Sequence, residues 1–246
     1  MNDKIISLSD PVGFDTLQVI AKADRFNHWM YAQFKSELNG DILEAGSGIG
    51  NISQLVVDDG LSLTLSDFNK EYCSWLKKKF EGVRNVKEVI TIDLAHPHFK
   101  TEYSGLKERF DSIFLLNVIE HLANDREAIA NCDFILKPGG RLIALVPAYS
   151  WLYCKLDKEL GHYRRYTSKT MRQVLATENF TIKKIVHFNF LGMCGWFLSG
   201  KLFGEGKLGG GEMNFFDHLV PMAKILDKIT FNKIGLSIIG TAVKKK

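Results

Sequence analysis

Along the first 146 residues, short apolar runs alternate with amphipathic stretches. Phe26, Trp29, Met30, Phe34 and Leu38 recur at helical spacing and predict one helix over 16–38, stopped by Asn39-Gly40. Residues 41–45 read as a short apolar strand ending in glycines, 51–57 as a helix, and 61–65 as an alternating strand. Residues 69–80 form an amphipathic pattern, 86–92 a strand, and 110–116 an apolar strand followed by a helix-rich stretch to 136. Lys137-Pro138-Gly139-Gly140 is a turn that launches a strand over 141–146. A helix is expected from Ser168, read as its N-cap, and 181–189 and 236–243 read as two late strands. Strands alternating with helices predict an α/β fold, a doubly wound and mostly parallel sheet covered on both faces. Such sheets bind ligands outside the carboxyl ends of their strands.

Between the last two strands the chain inserts residues 191–231, where a hairpin needs only a few residues. Leu191, Met193, Trp196, Phe197, Leu198, Leu202 and Phe203 open it, and a glycine-rich stretch follows over 204–212. Phe215, Leu219, Met222, Leu226 and Ile229 then recur at steps of four and three, one apolar stripe. Pro221 is expected to start or kink a helix there. The insertion is therefore predicted to be a helical cap over the acceptor side of the pocket, within a single domain covering 1–246. A dimer interface and ordinary core packing are the alternatives. Lys201, Lys207, Lys224 and Lys228 would favour an anionic lipid surface.

At 246 residues, 46% hydrophobic and 24% charged, the chain can build a core without disulfides, and disorder and coiled coil are excluded. A net charge of +4 is too small to argue for nucleic acid. Cys73, Cys132, Cys154 and Cys194 form no CxxC pair and suit neither a zinc site nor a disulfide framework, so reduced thiols are expected. The N-terminus lacks a basic segment followed by an apolar core. The longest charge-free run, 185–200, falls short of the ~20 residues that span a bilayer. The expectation is a cytoplasmic protein, at most peripheral at a membrane, of unspecified oligomeric state.

The chemistry gathers where strands end. The first ends in Glu44-Ala45-Gly46-Ser47-Gly48-Ile49-Gly50, a turn whose glycines let backbone N–H groups approach a ligand. The second ends at Asp67, 21 residues after Gly46, where an acid can take both hydroxyls of a ribose or cap a helix. Asp93 and Asn117 end the third and fourth strands. A third-strand acid could accept from an adenine amino group, and an Asn carbonyl could meet a ligand amine.

ILEAGSGIGN at 42–51, LSDFN at 65–69, TIDL at 91–94, FDSIFLLNVIEHL at 110–122 and LKPGGRLIALVP at 136–147 together resemble the class I S-adenosylmethionine-dependent methyltransferases. The resemblance covers roughly 25–190. It implies a Rossmann-like, seven-stranded sheet whose last strand is antiparallel, and S-adenosyl-L-methionine as cofactor. It places Glu44, Gly46, Ser47 and Gly48 along the methionine part, Asp67 on the ribose and Phe68 against the adenine. Asp93 and Leu94 would bound the adenine edge, and Asn117 and Val118 would sit near the methionine amine. RFNHWMY looks like a cofactor-covering helix, which makes Trp29 a candidate contact or a core aromatic. Residues 147–172, above all GHYRRYT at 161–167, look like bacterial members linked to glycan or lipid-sugar biosynthesis.

The implied reaction is an in-line displacement, accelerated mainly by holding the acceptor at near-attack distance. A hydroxyl acceptor must lose a proton, and His121 and His162 are the candidate bases. Tyr149, Tyr163 and Tyr166 could line the acceptor pocket or simply pack. Arg164 and Arg165 could grip an acidic acceptor or pair internally. The expected acceptor is a small molecule, a saccharide or a lipid-linked sugar. Nucleic-acid bases are disfavoured, since the fourth-strand region has neither an Asn/Asp-Pro-Pro-aromatic run nor a Pro-Cys pair. No HExxH or carboxylate cluster suggests a metal. Two rival readings remain: a nicotinamide-dependent oxidoreductase, whose GxGxxG is broken by Asn51, and a non-catalytic binding subunit.

Overall fold

The computed structural model describes residues 10–177, 179–202 and 209–246. Its centre is a seven-stranded sheet: β1 (Ile42–Ala45), β2 (Leu63–Asp67), β3 (Val86–Thr91), β4 (Phe110–Leu116), β5 (Leu136–Pro147), β6 (Phe180–Phe188) and β7 (Ser237–Lys244). The strand order is β3-β2-β1-β4-β5-β7-β6. The pairs from β3 to β5 are parallel, and β7 lies antiparallel between β5 and β6. The predicted architecture, including the antiparallel last strand, is the observed one. Strand order reverses between β1 and β4, which puts the ends of those strands at the binding crevice.

Both faces are buried, as the apolar runs require. Leu43, Ala45, Ile113, Leu115, Leu142, Ala144 and Val146 face one core, under α6 (Asp125–Ile135) and α8 (Ser168–Leu175). Their neighbours Ile42, Phe114, Ile143 and Leu145 face the other, under α2 (Asp24–Ala32), α3 (Asn51–Asp58), α4 (Lys70–Lys79) and α10 (Gly210–Ile229). Short helices complete the chain: α1 (Pro11–Ala21), α5 (Phe99–Glu102), α7 (Lys155–Glu159) and α9 (Phe190–Trp196). Beyond α9 a π-helical segment covers Phe197–Leu202.

Several boundaries differ from the sequence reading, each for a local reason. The single helix expected over 16–38 is two, α1 and α2, with the break at Lys22-Ala23. The break is held from outside: Asn27 Nδ2 donates to the Ile20 carbonyl at 2.8 Å, and Phe26 N donates to Asp217 Oδ1 at 2.8 Å. Thr167, and not Ser168, is the N-cap of α8; its hydroxyl accepts from Thr170 N at 3.1 Å. The second strand starts two residues later than expected, at Leu63, and ends at Asp67 as expected.

The insertion is helical, but α10 turns a different face inward from the one its apolar stripe suggested. Met213, Asp217, Val220, Ala223 and Asp227 are buried, whereas Phe215 is 67% and Ile229 64% exposed. The reason is that two acids on the inner face cap other helices. Asp217 takes the α2 amide just described. Asp227 accepts from Asn189 N and Phe190 N, both at 2.7 Å, at the start of α9. Pro221 lies inside α10, which runs through it. Most of the expected glycine-rich stretch, Phe203 and Lys207 fall outside the described residues, as does the Lys201 side chain.

Candidate active site

The glycine loop joins β1 to α3. Gly46, Gly48 and Gly50 have φ of +79°, +53° and +77°. A methyl group added at Gly46 would lie 2.4 Å from Val118 Cγ2, so the loop fits tightly over the end of β4. The loop is stapled to β2: Ser47 Oγ donates to the Glu44 carbonyl and accepts from Ser66 N at 3.2 Å. Glu44 is buried beneath it and accepts from Ser53 Oγ. Burial pushes its carboxyl up to about 8, against the pull of Ser53, Ser47 and Lys79. Lys79 Nζ donates to the Ile49 and Gly50 carbonyls at 2.9 and 2.8 Å and fixes the far side of the turn.

Asp67 ends β2 against this loop. One carboxylate oxygen accepts from Gly48 N and the other from Asn69 N, both at 2.9 Å. Burial raises its carboxyl above the usual aspartate range, although these bonds oppose the shift. Phe68, next in sequence, is 72% exposed and offers a ring face beside the carboxylate. Asp93 N donates to Tyr103 Oη at 3.0 Å, and Asp93 Oδ1 accepts from Ala95 N. Leu94 is buried in the core. Asn117 is exposed with φ of +54°, its N–H donating to the Leu145 carbonyl, and Val118 is half-buried over Gly46. Gly46, Gly48, Asp67, Phe68, Asp93, Asn117 and Val118 thus share the carboxyl edge of β1–β4.

Trp29 belongs elsewhere. It is buried, with its ring 4.5 Å from that of Phe188 and 6.5 Å from Phe26. The helix that reaches the loop is α1: Asn51 Nδ2 donates to the Leu17 carbonyl at 3.0 Å, and a methyl at Gly48 would meet Leu17 Cδ1 at 2.9 Å. Phe14 packs on Tyr72 and Trp75 of α4.

The acceptor-side candidates also converge. His121 follows β4 and His162 follows α7, yet their rings meet edge to face with centroids 4.6 Å apart. His162 Nδ1 lies 2.9 Å from Asp157 Oδ1, and Asp157 also accepts from Arg165 Nε at 2.8 Å and Cys154 N at 2.9 Å. Burial works against the Asp157 charge, but His162 and Arg165 hold its carboxyl below the ordinary range. Burial and the neighbouring His162 lower His121 to about 4, so its ring is neutral at pH 7. Glu120 is fully buried beside them, and neither carboxylate oxygen has a hydrogen-bond partner. Burial pushes it up to about 8.

GHYRRYT turns out to be a set of staples. Arg164 pairs with Asp125 at 2.9 Å and donates to the Ala123 carbonyl, and Arg165 is spent on Asp157 and the Ala148 carbonyl. Both guanidinium groups are thus paired internally, the second of the alternatives read from the sequence. Tyr166 is buried and donates to Asp125 Oδ2 at 2.8 Å. Tyr163 is 62% exposed, and Tyr149, half-buried, stacks on His187. Glu120 and Asp157 were missed from sequence. The signal for Glu120 was available: a lone acid inside the apolar run VIEHL, directly after a strand.

Residues 43–142 match the family model described as a methyltransferase domain. The fold is a Rossmann-like methyltransferase fold. The chain is similar to a SAM-dependent methyltransferase from Archaeoglobus fulgidus, at 14% identity and TM-score 0.58, covering 90% of this chain and 94% of that one. It is similar to a chain of the Haloferax volcanii complex between the Trm112 methyltransferase activator and a methyltransferase, at 13% identity and TM-score 0.62, covering 97% and 98%. It also matches Haemonchus contortus phosphoethanolamine N-methyltransferase 2 bound to S-adenosyl-L-methionine, at 16% identity and TM-score 0.61, covering 96% of this chain and 59% of that one. No curated protein sequence matches.

Proposed function

We propose that this chain transfers a methyl group from S-adenosylmethionine to a small-molecule, saccharide or lipid-linked acceptor docked beside His121 and His162. The observation that carries the reading is the edge at β1–β4, where Gly46–Gly50, Asp67 and the exposed Phe68 stand together. In this reading the methionine part lies along Gly46, Ser47 and Gly48 above Glu44, with Asn117 and Val118 at its amine. Asp67 takes the ribose hydroxyls, Phe68 stacks on adenine, and Asp93 and Leu94 bound its edge. Nothing in this arrangement needs to stabilise a large new charge, because the sulfonium charge disappears as the methyl leaves. Rate enhancement comes from holding the acceptor in line. A hydroxyl acceptor gives up its proton at the His121–His162 pair, with Asp157 orienting His162. The likeness of 147–172 to bacterial glycan and lipid-sugar enzymes favours that acceptor class.

Asp67→Ala is expected to weaken S-adenosylhomocysteine binding by ~1.5–3 kcal/mol, the worth of a hydrogen bond to a charged group. Titration calorimetry and thermal melting on the same variant separate this from a purely structural role. A structural Asp67 would lower the melting temperature and leave affinity unchanged.

A lipid-linked acceptor implies a membrane surface, and the outward face of α10 supports one. Phe215, Met222, Ile225 and Ile229 are exposed there, with Phe231 just beyond. Lys224 and Lys228 lie exposed on the same helix and Lys233 follows it, each worth ~1 kcal/mol near an anionic surface. Among the described residues no helix is long and apolar enough to cross a membrane. Flotation with anionic vesicles is expected for the full chain and is expected to be lost in Phe215→Ser/Ile225→Ser. No flotation on anionic vesicles would remove the membrane contact while leaving methyl transfer standing.

A further inference from the structure

The acceptor side contains a buried carboxylate with nothing bound to it. Glu120 is wholly buried, and both of its oxygens lack a hydrogen-bond partner. An unpaired buried acid is costly, so a native chain that keeps one gives it work elsewhere. Arg165 acts on it through charge, but that guanidinium is bonded to Asp157 and the Ala148 carbonyl. Ligand atoms of Glu120, His121 and His162 all lie within 4.8 Å of one another.

We propose that Glu120, His121 and His162 bind a divalent transition-metal cation that activates a hydroxyl acceptor for methyl transfer. The outer partners of such a site are already in place. A metal-bound imidazole normally donates its other nitrogen to a carboxylate or carbonyl. His162 Nδ1 is tied to Asp157, which leaves Nε2 to ligate. Asp157 is itself held by Arg165 and Cys154 N. Ligand atoms ~2.1 Å from an ion stand at most ~4.2 Å apart, so small side-chain rotations close the site. Two imidazoles and one carboxylate suit zinc, iron, cobalt or manganese better than calcium or magnesium, which prefer oxygen ligands. Three protein ligands leave coordination positions open, and the site borders solvent at His121.

The inference rests on the methyl-transfer reading and sharpens it to oxygen acceptors. The cation binds the acceptor oxygen and lowers its pKa. The O–H bond breaks and its proton passes to solvent. The oxygen lone pair then forms the O–CH3 bond as the C–S bond breaks, and sulfur keeps that electron pair. The histidines then serve as ligands, so the work of deprotonation moves from imidazole to metal.

The test is titration of the full, chelator-treated chain with Co2+, followed by its visible absorption, and with Zn2+ by calorimetry. S-adenosylhomocysteine binding is measured on the same samples. One equivalent of cation is expected, with affinity reduced at least tenfold in Glu120→Gln and by a comparable factor in His121→Ala, and thermal melting of both variants separates loss of a ligand from a folding defect. Asp157→Asn is expected to cost ~10–100-fold, as for other outer-shell partners. Methyl transfer to a hydroxyl acceptor falls in Glu120→Gln and is inhibited by chelator. Absence of a Co2+ spectrum in the wild type, or an unchanged spectrum in both Glu120→Gln and His121→Ala, would overturn the metal site. Failure to bind S-adenosylhomocysteine would instead overturn the methyltransferase reading.

Discussion

Gly48→Val is expected to abolish S-adenosylhomocysteine binding, a loss of at least 100-fold by calorimetry, while the sheet survives. Three features add up at this residue. Its φ of +53° is unfavourable for any L-residue and worst for a β-branched one. Its added carbon would press on Leu17 of α1 at 2.9 Å. Its N–H donates to Asp67, so a displaced loop also displaces the carboxylate assigned to the ribose. Circular dichroism should show native helix and strand content, because Gly48 lies in the loop between β1 and α3 and in neither element. Double substitution with Leu17→Ala relieves the contact but not the backbone strain, and is expected to restore little binding. Wild-type affinity in Gly48→Val would remove the loop from the cofactor site.

His162→Ala should lower turnover on a hydroxyl acceptor by ~10²–10⁴, with S-adenosylhomocysteine affinity close to wild type. Its imidazole stands with His121 and Asp157, apart from the loop and Asp67 assigned to the nucleoside. The expected size holds whether the ring accepts the acceptor's proton or ligates a cation. His121→Ala is the companion variant. An equal loss of turnover and cofactor affinity would mean that His162 only anchors the α7 loop through Asp157. Thermal melting of the variant checks that outcome independently.

The sheet was legible because its strands are buried on both faces and read as unbroken apolar runs. Residues 110–116 were bounded to the residue. The position of Asp67, Asp93 and Asn117 at the carboxyl edge of the sheet was legible because each ends or follows an apolar strand. What failed were contacts made at long sequence separation. The α1–α2 break depends on Asp217, 191 residues from its partner Phe26. Asp217 and Asp227 look like surface acids in sequence and are buried caps in the fold, which reversed the expected face of α10. Arg164 and Arg165 could be read either as acceptor grips or as internal pairs, and the structure supplies the pairs with Asp125 and Asp157, 39 and 8 residues away in sequence. Trp29 sits on a helix of the expected kind, but Phe188, from a distant strand, takes its ring.

The most direct measurement is calorimetric titration of the full chain with S-adenosylhomocysteine and, separately, with NADH. The expected result is one-to-one binding of S-adenosylhomocysteine that weakens in Asp67→Ala and is lost in Gly48→Val, with no heat from NADH. Saturable NADH binding, or no S-adenosylhomocysteine binding by the wild-type chain, would contradict the assignment.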